Sequence, residues 1–262
     1  MTISIVYGNG ESRKQWDINQ ELKPEVITWG CNAMYREKVL TNLVSVDYNM
    51  QQEIYESGYP LENNCWFSDW SVIPAMVGKE SFTYGWPEEQ IHETEQKGRE
   101  FFVVQGKDPK TVDEVYQQLA NNSNLDKADL QKKLFFRTGI FITWVEENDK
   151  VRTTGMKSNF SAGTNALLLA SQESKEIYLL GFDLSDYNEK VNNIYKGTKN
   201  YIESDCRGFN PVNWKEQLNH VFRTFSDVNY YWVNPVHGQD IIDSHTNVHT
   251  ITYDNIRRKL CL

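Results

Sequence analysis

Cysteine is scarce in this chain, and its spacing gives no metal or disulfide pattern. The four cysteines, Cys31, Cys65, Cys206 and Cys261, include no CxxC pair, whereas zinc sites and disulfide frameworks are usually signalled by such spacings. Long apolar segments are also missing, because no run approaches the roughly 20 residues that span a bilayer. The N-terminus has no basic lead before an apolar stretch and does not resemble a signal peptide. We therefore expect reduced thiols, no membrane partner and a cytoplasmic location.

Basic residues are also in short supply, with 27 lysines and arginines against 36 acidic residues and a net charge of −9. This balance argues against broad capture of nucleic-acid backbones, although it leaves room for a local basic groove. A chain of 262 residues is long enough to bury a substantial core. We predict a single α/β domain over residues 1–262, with an insertion or lid at about 60–150. That segment is rich in aromatic residues and turns, with helix-like spacing between residues 111 and 134.

The clearest pattern near the N-terminus is a short apolar strand that ends in two glycines, ISIVYGNGESR at residues 3–13. Glycine lets a backbone approach a phosphate closely and reaches positive φ at little cost. Ser12 follows where a helix can begin, so its hydroxyl is expected to cap free backbone N–H groups. The turn has neither the dinucleotide fingerprint nor a P-loop. An ordinary strand-to-helix turn is therefore the alternative interpretation.

Two further predicted strands end in polar residues. VITWGCN at residues 26–32 places Asn32 after the second strand, and LVSVD at residues 43–47 places Asp47 after the third. Ligands of open α/β sheets bind outside the carboxyl ends of the strands. Asp47 is thus a candidate for contact with a ribose, a base or a metal, and the alternative is that it caps the following helix.

The C-terminal half has a helix-then-strand pattern. SAGTNALLLA at residues 161–170 predicts a helix whose small first residues admit a base or ribose, with the hydroxyls of Ser161 and Thr164 beside N–H groups that attract anions. EIYLLGFD then predicts a buried strand that ends at Asp183. The alternation of strands and helices predicts an α/β, Rossmann-like fold, in which helices flank a mostly parallel sheet and a helical and aromatic segment is inserted.

Taken together, these motifs resemble a Rossmann-like superfamily. It includes the bacterial CMP-sialic-acid-dependent sialyltransferases, the motility-associated glycosyltransferases and the archaeal hydroxymethyl-dihydropterin pyrophosphokinases. The resemblance rests on the GNGES turn, the Cys-Asn dipeptide and SAGTNALLLA followed by KEIYLLGFD, so it covers about the first fifty residues and residues 158–201. The segments GNGESRK, ITWGCNAMYRE and LVSVDYNMQ are also similar to uncharacterised proteins of tailed bacteriophages.

The resemblance implies a nucleotide held across the carboxyl ends of the strands. The residues assigned to the nucleotide or donor sugar are Gly8, Asn9, Gly10, Ser12, Asn32, Ser161, Gly163, Thr164 and Asn165. The residues assigned to phosphate are Tyr187, Tyr195, Lys199 and Tyr201, and the predicted catalytic set is Tyr195, Lys196, Asp47 and Asp183. Phenol and ammonium donors in residues 193–201 suit this task, since they stabilise a departing diphosphate without a metal. A solvated loop is the alternative for that segment.

One departure from the sialyltransferases concerns the histidine that deprotonates the acceptor in that family. The spacing here selects no equivalent, and His220 falls inside a predicted amphipathic helix at residues 213–225. The other candidates for the base are His237, His245, His249, Asp47, Asp183 and Asp186. The identity of the base stays open.

Three functions are compatible with these patterns. The leading hypothesis is a nucleotide-sugar-dependent glycosyltransferase, whose acceptor is a modified DNA base or a glycan and which works in the host cytoplasm if a phage encodes it. The alternative is an ATP-dependent pyrophosphokinase of the pterin type, in which Asp47 and Asp183 hold Mg²⁺; the leading hypothesis does not require this ion. The third is a non-catalytic protein that binds a nucleotide or a partner.

Overall fold

The structure, a computed structural model, describes residues 2–68, 70–73, 101–105, 141–145, 148–184, 189–235 and 237–262. The chain divides into two compact units. The first contains Met1–Ser45, Asn63–Trp66 and Thr154–Leu262, and the second contains Val46–Glu62 and Phe67–Thr153. Three sequence predictions lie outside the described residues: the helix-like spacing at residues 111–134, the phosphate contact of Tyr187, and Asp186.

The described elements are numbered along the chain. The strands are β1 Ile3–Tyr7, β2 Val26–Cys31, β3 Asn42–Ser45, β4 Asn64–Phe67, β5 Trp70–Ile73, β6 Phe101–Gln105, β7 Phe141–Val145, β8 Val151–Arg152, β9 Glu176–Leu180, β10 Asn229–Val233 and β11 Val248–Ile251. The helices are α1 Tyr48–Glu56, α2 Ala162–Glu173, α3 Val212–Thr224, α4 Gln239–Asp243 and α5 Tyr253–Leu260. Short 3₁₀ turns occur at Glu11–Gln15, Asn32–Arg36 and Tyr59–Leu61.

The first unit is built on a parallel sheet with the strand order β11-β10-β9-β1-β2-β3-β4. Strand β1 is central and pairs in parallel with β2 and β9, so that Ile5 lies opposite both Thr28 and Tyr178. From β1 the chain proceeds outward through β2 and β3, and it later returns to β9 on the other side of β1. The strand order therefore reverses between β1 and β9. The prediction of an α/β, Rossmann-like fold is confirmed.

The strands at the centre of this sheet are buried on both faces, which is why they read as continuous apolar runs rather than as alternating patterns. In β1 and in β9 every residue but the first is buried. Helix α2 contributes a run of buried residues, and α3 buries Leu218, Val221 and Phe222 in the same core. The predicted amphipathic helix at residues 213–225 is thus confirmed as α3.

The second unit contains α1 and an antiparallel sheet in the order β5-β6-β7. A buried glutamine joins α1 to the segment before β5. The Gln51 side chain donates to the Ser68 carbonyl at 3.1 Å and accepts from the Trp70 indole N–H at 2.9 Å. Tyr55 in the same helix donates to Asp149 at 2.8 Å. Satisfied buried polar groups of this kind fix a helix in place.

The loops that follow β1 and β9 are in direct backbone contact. The Gly8 N–H donates to Leu180 O at 2.7 Å, and the Gly10 N–H donates to Gly181 O at 2.9 Å. A Cβ on Gly10 would lie 2.7 Å from that same oxygen, and one on Gly8 would overlap it. Gly8 and Gly10 have ordinary φ values, while Gly181 has φ 70°. The two N-terminal glycines therefore allow the two loops to approach each other closely. The prediction that this turn uses the positive φ values open to glycine is wrong.

We expect Gly8→Ala to lower the free energy of unfolding by about 1–3 kcal/mol, because the added methyl meets a backbone carbonyl that cannot turn aside. Gly163→Ala is the matched control. Its methyl would lie no closer than 3.9 Å to the Cys31 sulfur and the Phe182 ring, and alanine is the better helix former. Urea unfolding of both variants measures the difference. Equal effects of the two substitutions would contradict the proposed reason for Gly8.

Candidate functional site

A loop at residues 191–202, here called the strap, crosses the carboxyl end of β1. Its Ile194 N–H donates to the Asn9 carbonyl at 2.8 Å, and its Asn192 side chain accepts from the Glu11 N–H at 2.7 Å. The strap therefore binds the same turn that the sequence assigns to a nucleotide.

Tyr201 of the strap connects the ends of β1 and β2. Its hydroxyl oxygen accepts from the Asn9 side-chain amide at 3.2 Å and from the Ala33 N–H at 3.2 Å. Asn32 contributes a further side-chain hydrogen bond, and its backbone has φ 53°, a left-handed conformation that asparagine tolerates better than most residues. Burial raises the pKa of the Tyr201 phenol, so it stays protonated at neutral pH. The structure thus brings together Asn9, Asn32 and Tyr201.

Arg13, which the sequence analysis did not single out, is buried beside Tyr195. Its guanidinium donates to the Glu37 carboxylate at 3.2 and 3.3 Å and to the Tyr195 hydroxyl at 3.0 Å, and it is 2% exposed. Burial opposes its charge, but Tyr195 and Glu37 outweigh this effect, so the pKa of Arg13 is raised. Burial also raises the pKa of Tyr195. Arg13 and Tyr195 thus form a protonated, hydrogen-bonded pair that joins the first turn of the chain to the strap.

The start of α2 reaches the same edge of the sheet. An alanine methyl at Gly163 would lie 3.9 Å from the Cys31 sulfur and 3.9 Å from the Phe182 ring. The Phe182 ring in turn would lie 3.2 Å from a methyl at Gly8. The segments that contain Gly8 and Gly163 therefore meet at the Phe182 ring, and Cys31 lies next to Gly163.

The carboxylate of Asp183 is engaged by the first turn of the chain. Ser12 donates to it through both its backbone N–H, at 2.9 Å, and its hydroxyl. The 3₁₀ turn at Glu11–Gln15 begins after Gly10, which occupies the N-cap position. The expectation that the Ser12 hydroxyl caps helix N–H groups is wrong, because that hydroxyl donates to Asp183. This contact fixes the two loops to each other.

The two predicted lysines of the strap differ in their surroundings. Lys196 donates to the Val191 carbonyl at 3.1 Å and pairs with Glu11 at 3.4 Å. Lys199 is exposed, and its carbonyl oxygen accepts from Arg36 at 3.1 Å. Lys196 thereby helps to hold the strap on the first turn, and Lys199 lies at the exposed rim.

The polar residues of α2 make contacts within the protein. The Gln217 carbonyl oxygen of α3 accepts from the Ser161 N–H at 3.0 Å and from the Thr164 hydroxyl at 2.5 Å. Asn165 donates to two carbonyl oxygens of residues 157–160, at 3.0 and 3.1 Å. Thr164 and Asn165 therefore fix α2 to its neighbours, and their predicted contact with a nucleotide stays a prediction.

Other predicted residues lie elsewhere. Asp47 belongs to the second unit, where it occupies the N-cap position of α1 and its carbonyl accepts from the N–H groups of residues 50 and 51. Among the candidate bases, His237 and His249 are exposed, and His245 is hydrogen-bonded to Asn219 at 2.7 Å. Their catalytic roles stay predictions.

Among the buried polar atoms that have no hydrogen-bond partner within the described part of the chain, two belong to the turn after β1. They are the Asn9 side-chain oxygen, an acceptor, and the Arg13 Nε, a donor. Buried polar atoms are nearly always paired with protein, water or ligand. Their position favours a polar guest at this edge of the sheet.

Comparison with known proteins gives no relative, since no family model, curated protein or solved structure matches the chain. Within the described residues there is no cluster of three or more metal-binding side chains. The described helices include none that is long and apolar enough to cross a membrane.

We expect Arg13→Met to lower the free energy of unfolding by about 1–3 kcal/mol, since it removes the hydrogen bonds that the buried guanidinium donates to the Tyr195 hydroxyl and to the exposed Glu37 carboxylate. Arg13→Lys keeps the charge but loses the paired guanidinium geometry, so it should cost less. Urea unfolding of both variants, with the exposed pair disrupted by Lys175→Met as a control, checks this ordering. A loss for Arg13→Met as small as that of Lys175→Met would contradict the assignment.

The stability of the chain should fall in acid through His245. Burial lowers the pKa of His245, and the Arg223 charge adds to this effect. The unfolded chain, with a histidine pKa of about 6.5, then binds the proton more readily than the folded chain. The stability that neutral His245 contributes is therefore present above about pH 6.5 and is lost as the pH falls below it. Urea unfolding at pH 7.5 and 5.5 should show a weaker pH dependence for His245→Gln than for the exposed control His249→Gln.

Proposed function

We propose that the first unit binds a nucleotide-sugar donor at the carboxyl ends of β1, β2 and β9 and acts as a glycosyltransferase. The observation that carries the proposal is the meeting of residues 8–10, residues 31–33 and Gly163 where the strand order reverses. In open α/β sheets this reversal is the place where ligands bind. The acceptor, a modified DNA base or a glycan, is part of the proposal.

The groups around the strap suit the phosphate end of such a donor. Tyr201 stays protonated and lies between the ends of β1 and β2, while Arg36 and Lys199 supply positive charge at the rim. Fixed donors of this kind stabilise negative charge that develops on a leaving diphosphate. Tyr195 is 6% exposed and accepts a hydrogen bond from Arg13. We therefore assign Tyr195 a positioning role, in which it acts through the Arg13 side chain.

The magnesium-dependent alternative has less support among the described contacts. A pyrophosphokinase needs carboxylates free to hold Mg²⁺, and both oxygens of Asp183 accept from Ser12. The non-catalytic alternative uses the same binding site as the transferase. Assays of turnover separate the two.

We expect one nucleotide sugar from a panel of CMP, UDP, GDP and ADP donors to raise the melting temperature of the protein and to be slowly hydrolysed. Tyr201→Phe should lower the affinity of the protein for that donor about tenfold, because one hydrogen bond to the ligand is lost. The control is Tyr231→Phe, which removes a phenol from β10. Thermal-shift titration measures both affinities.

A panel in which no donor shifts the melting temperature at millimolar concentration would contradict the proposal. Binding that a chelator abolishes, together with turnover of ATP, would favour the pyrophosphokinase. Binding without turnover of any donor, in the presence or absence of Mg²⁺, would favour the non-catalytic function.

A further inference from the structure

The side-chain amide of Asn9 has one paired and one unpaired polar atom. Its nitrogen donates to the Tyr201 hydroxyl oxygen at 3.2 Å. Its oxygen is buried and accepts no hydrogen bond from any described residue. A buried acceptor without a partner is costly, so native structures nearly always supply one from protein, water or ligand. Because an amide oxygen only accepts, the group that completes it must be a donor.

The strap fixes the direction in which this oxygen points. The Asn9 carbonyl accepts from the Ile194 N–H at 2.8 Å, which holds the backbone of the turn. The Tyr201 oxygen also accepts from the Ala33 N–H at 3.2 Å, so the phenol is held from the end of β2 as well. The amide cannot turn its nitrogen toward a ligand without breaking its bond to this fixed phenol. Asn9 Oδ1 is therefore a preorganised acceptor.

A phosphate does not suit this acceptor. Phosphate oxygens are themselves acceptors, so an oxygen placed against Asn9 Oδ1 would bring lone pairs to face lone pairs. The positive charge that suits a phosphate lies at the rim of the strap. There Arg36 donates to the Thr198 hydroxyl and to the Lys199 carbonyl, both at 3.1 Å. A phosphate at that rim leaves Asn9 to the neighbouring part of the ligand.

The donor groups of a nucleotide sugar that are closest to its phosphates are sugar hydroxyls. The ribose is bonded to the phosphate on one side and the transferred sugar on the other, whereas the amino group of a base is separated from the phosphate by the ribose. A hydroxyl carries one hydrogen to donate. It therefore matches the requirement of Asn9 Oδ1.

We propose that Asn9, held by Tyr201, determines specificity in the nucleotide site, where its side-chain oxygen accepts from a hydroxyl of the ribose or of the transferred sugar. The proposal rests on the function proposed above and narrows it, since the site then selects a sugar that carries this hydroxyl over the deoxy form. A site built to hydrogen-bond a substrate hydroxyl rejects an analogue that lacks it, because the protein group is left unpaired.

The test uses the full chain and the donor that binds most tightly among CMP, UDP, GDP and ADP sugars. It also uses the free nucleotide of that donor and the 2′-deoxy and 3′-deoxy forms of the nucleotide. Calorimetric titration measures each affinity for the unaltered protein and for Asn9→Ala.

The two sources of the hydroxyl give different results. If it belongs to the ribose, the unaltered protein should bind the ribonucleotide about tenfold more tightly than one of the deoxy forms, and Asn9→Ala should bring this ratio close to one. If it belongs to the transferred sugar, Asn9→Ala should weaken binding of the nucleotide sugar about tenfold and leave that of the free nucleotide unchanged.

Two further variants separate hydroxyl recognition from a structural effect. Asn9→Asp keeps an acceptor oxygen, so it should keep the preference for the hydroxyl, while its charge lowers the affinity for every nucleotide. Asn64→Ala removes an amide of β4 that donates to the Thr41 carbonyl at 3.2 Å, and it should change no affinity. Circular dichroism confirms that each variant retains the fold before its titration is interpreted.

The results that overturn this inference differ from those that overturn the proposed function. Donor binding that Asn9→Ala leaves unchanged, for the nucleotide sugar and for the nucleotide, would overturn the inference and leave the function standing. A hydroxyl preference lost in Asn9→Asp as well as in Asn9→Ala would mean that the amide nitrogen faces the ligand, and would overturn it too. The absence of binding by every donor contradicts the proposed function, and the inference falls with it.

Discussion

The contact between the loops after β1 and β9 is the constraint on which the rest of the first unit depends. The backbone hydrogen bonds from Gly8 and Gly10 continue the β1–β9 pairing beyond the last strand residue. Because the two backbones are this close, no side chain can separate them, and the Asp183 carboxylate lies within reach of Ser12. The direction of the first 3₁₀ turn, and with it the position of Arg13, follows from this contact.

The strap adds a layer of hydrogen-bonded polar side chains above the carboxyl ends of these strands. Phenols, amides and one guanidinium bond to one another there, so most groups that the sequence assigns to a ligand already have protein partners. A ligand that enters must exchange those hydrogen bonds for its own, and the net gain of each exchange is modest. Affinity must then come from the groups still unpaired, Asn9 Oδ1 and Arg13 Nε, and from the charge at the rim.

The fold could be predicted from the sequence because its strands are apolar runs and its helix α3 is amphipathic, and both signals are local. The role of the glycines could not, since Gly8 is constrained by Gly181, which is far away along the chain. The same limit applies to Ser12, whose acceptor is Asp183. Nothing in the segment GNGESR distinguishes Arg13 from a surface arginine. Its burial depends on its hydrogen bonds to Glu37 and Tyr195, which lie farther along the chain. The ends of the strands could be located from the sequence, whereas tertiary contacts decide which side chains meet there.

The central position of β1 also has a consequence for synthesis. One of its neighbours, β2, leaves the ribosome early, but the other, β9, is about 170 residues away along the chain. Until β9 emerges, a nascent chain presents an apolar strand with one open edge, which is a template for wrong pairing. Long sequence separation of this kind also slows folding. The central sheet is thus expected to form only after β9 has left the ribosome, well after β1 and β2 have been synthesised.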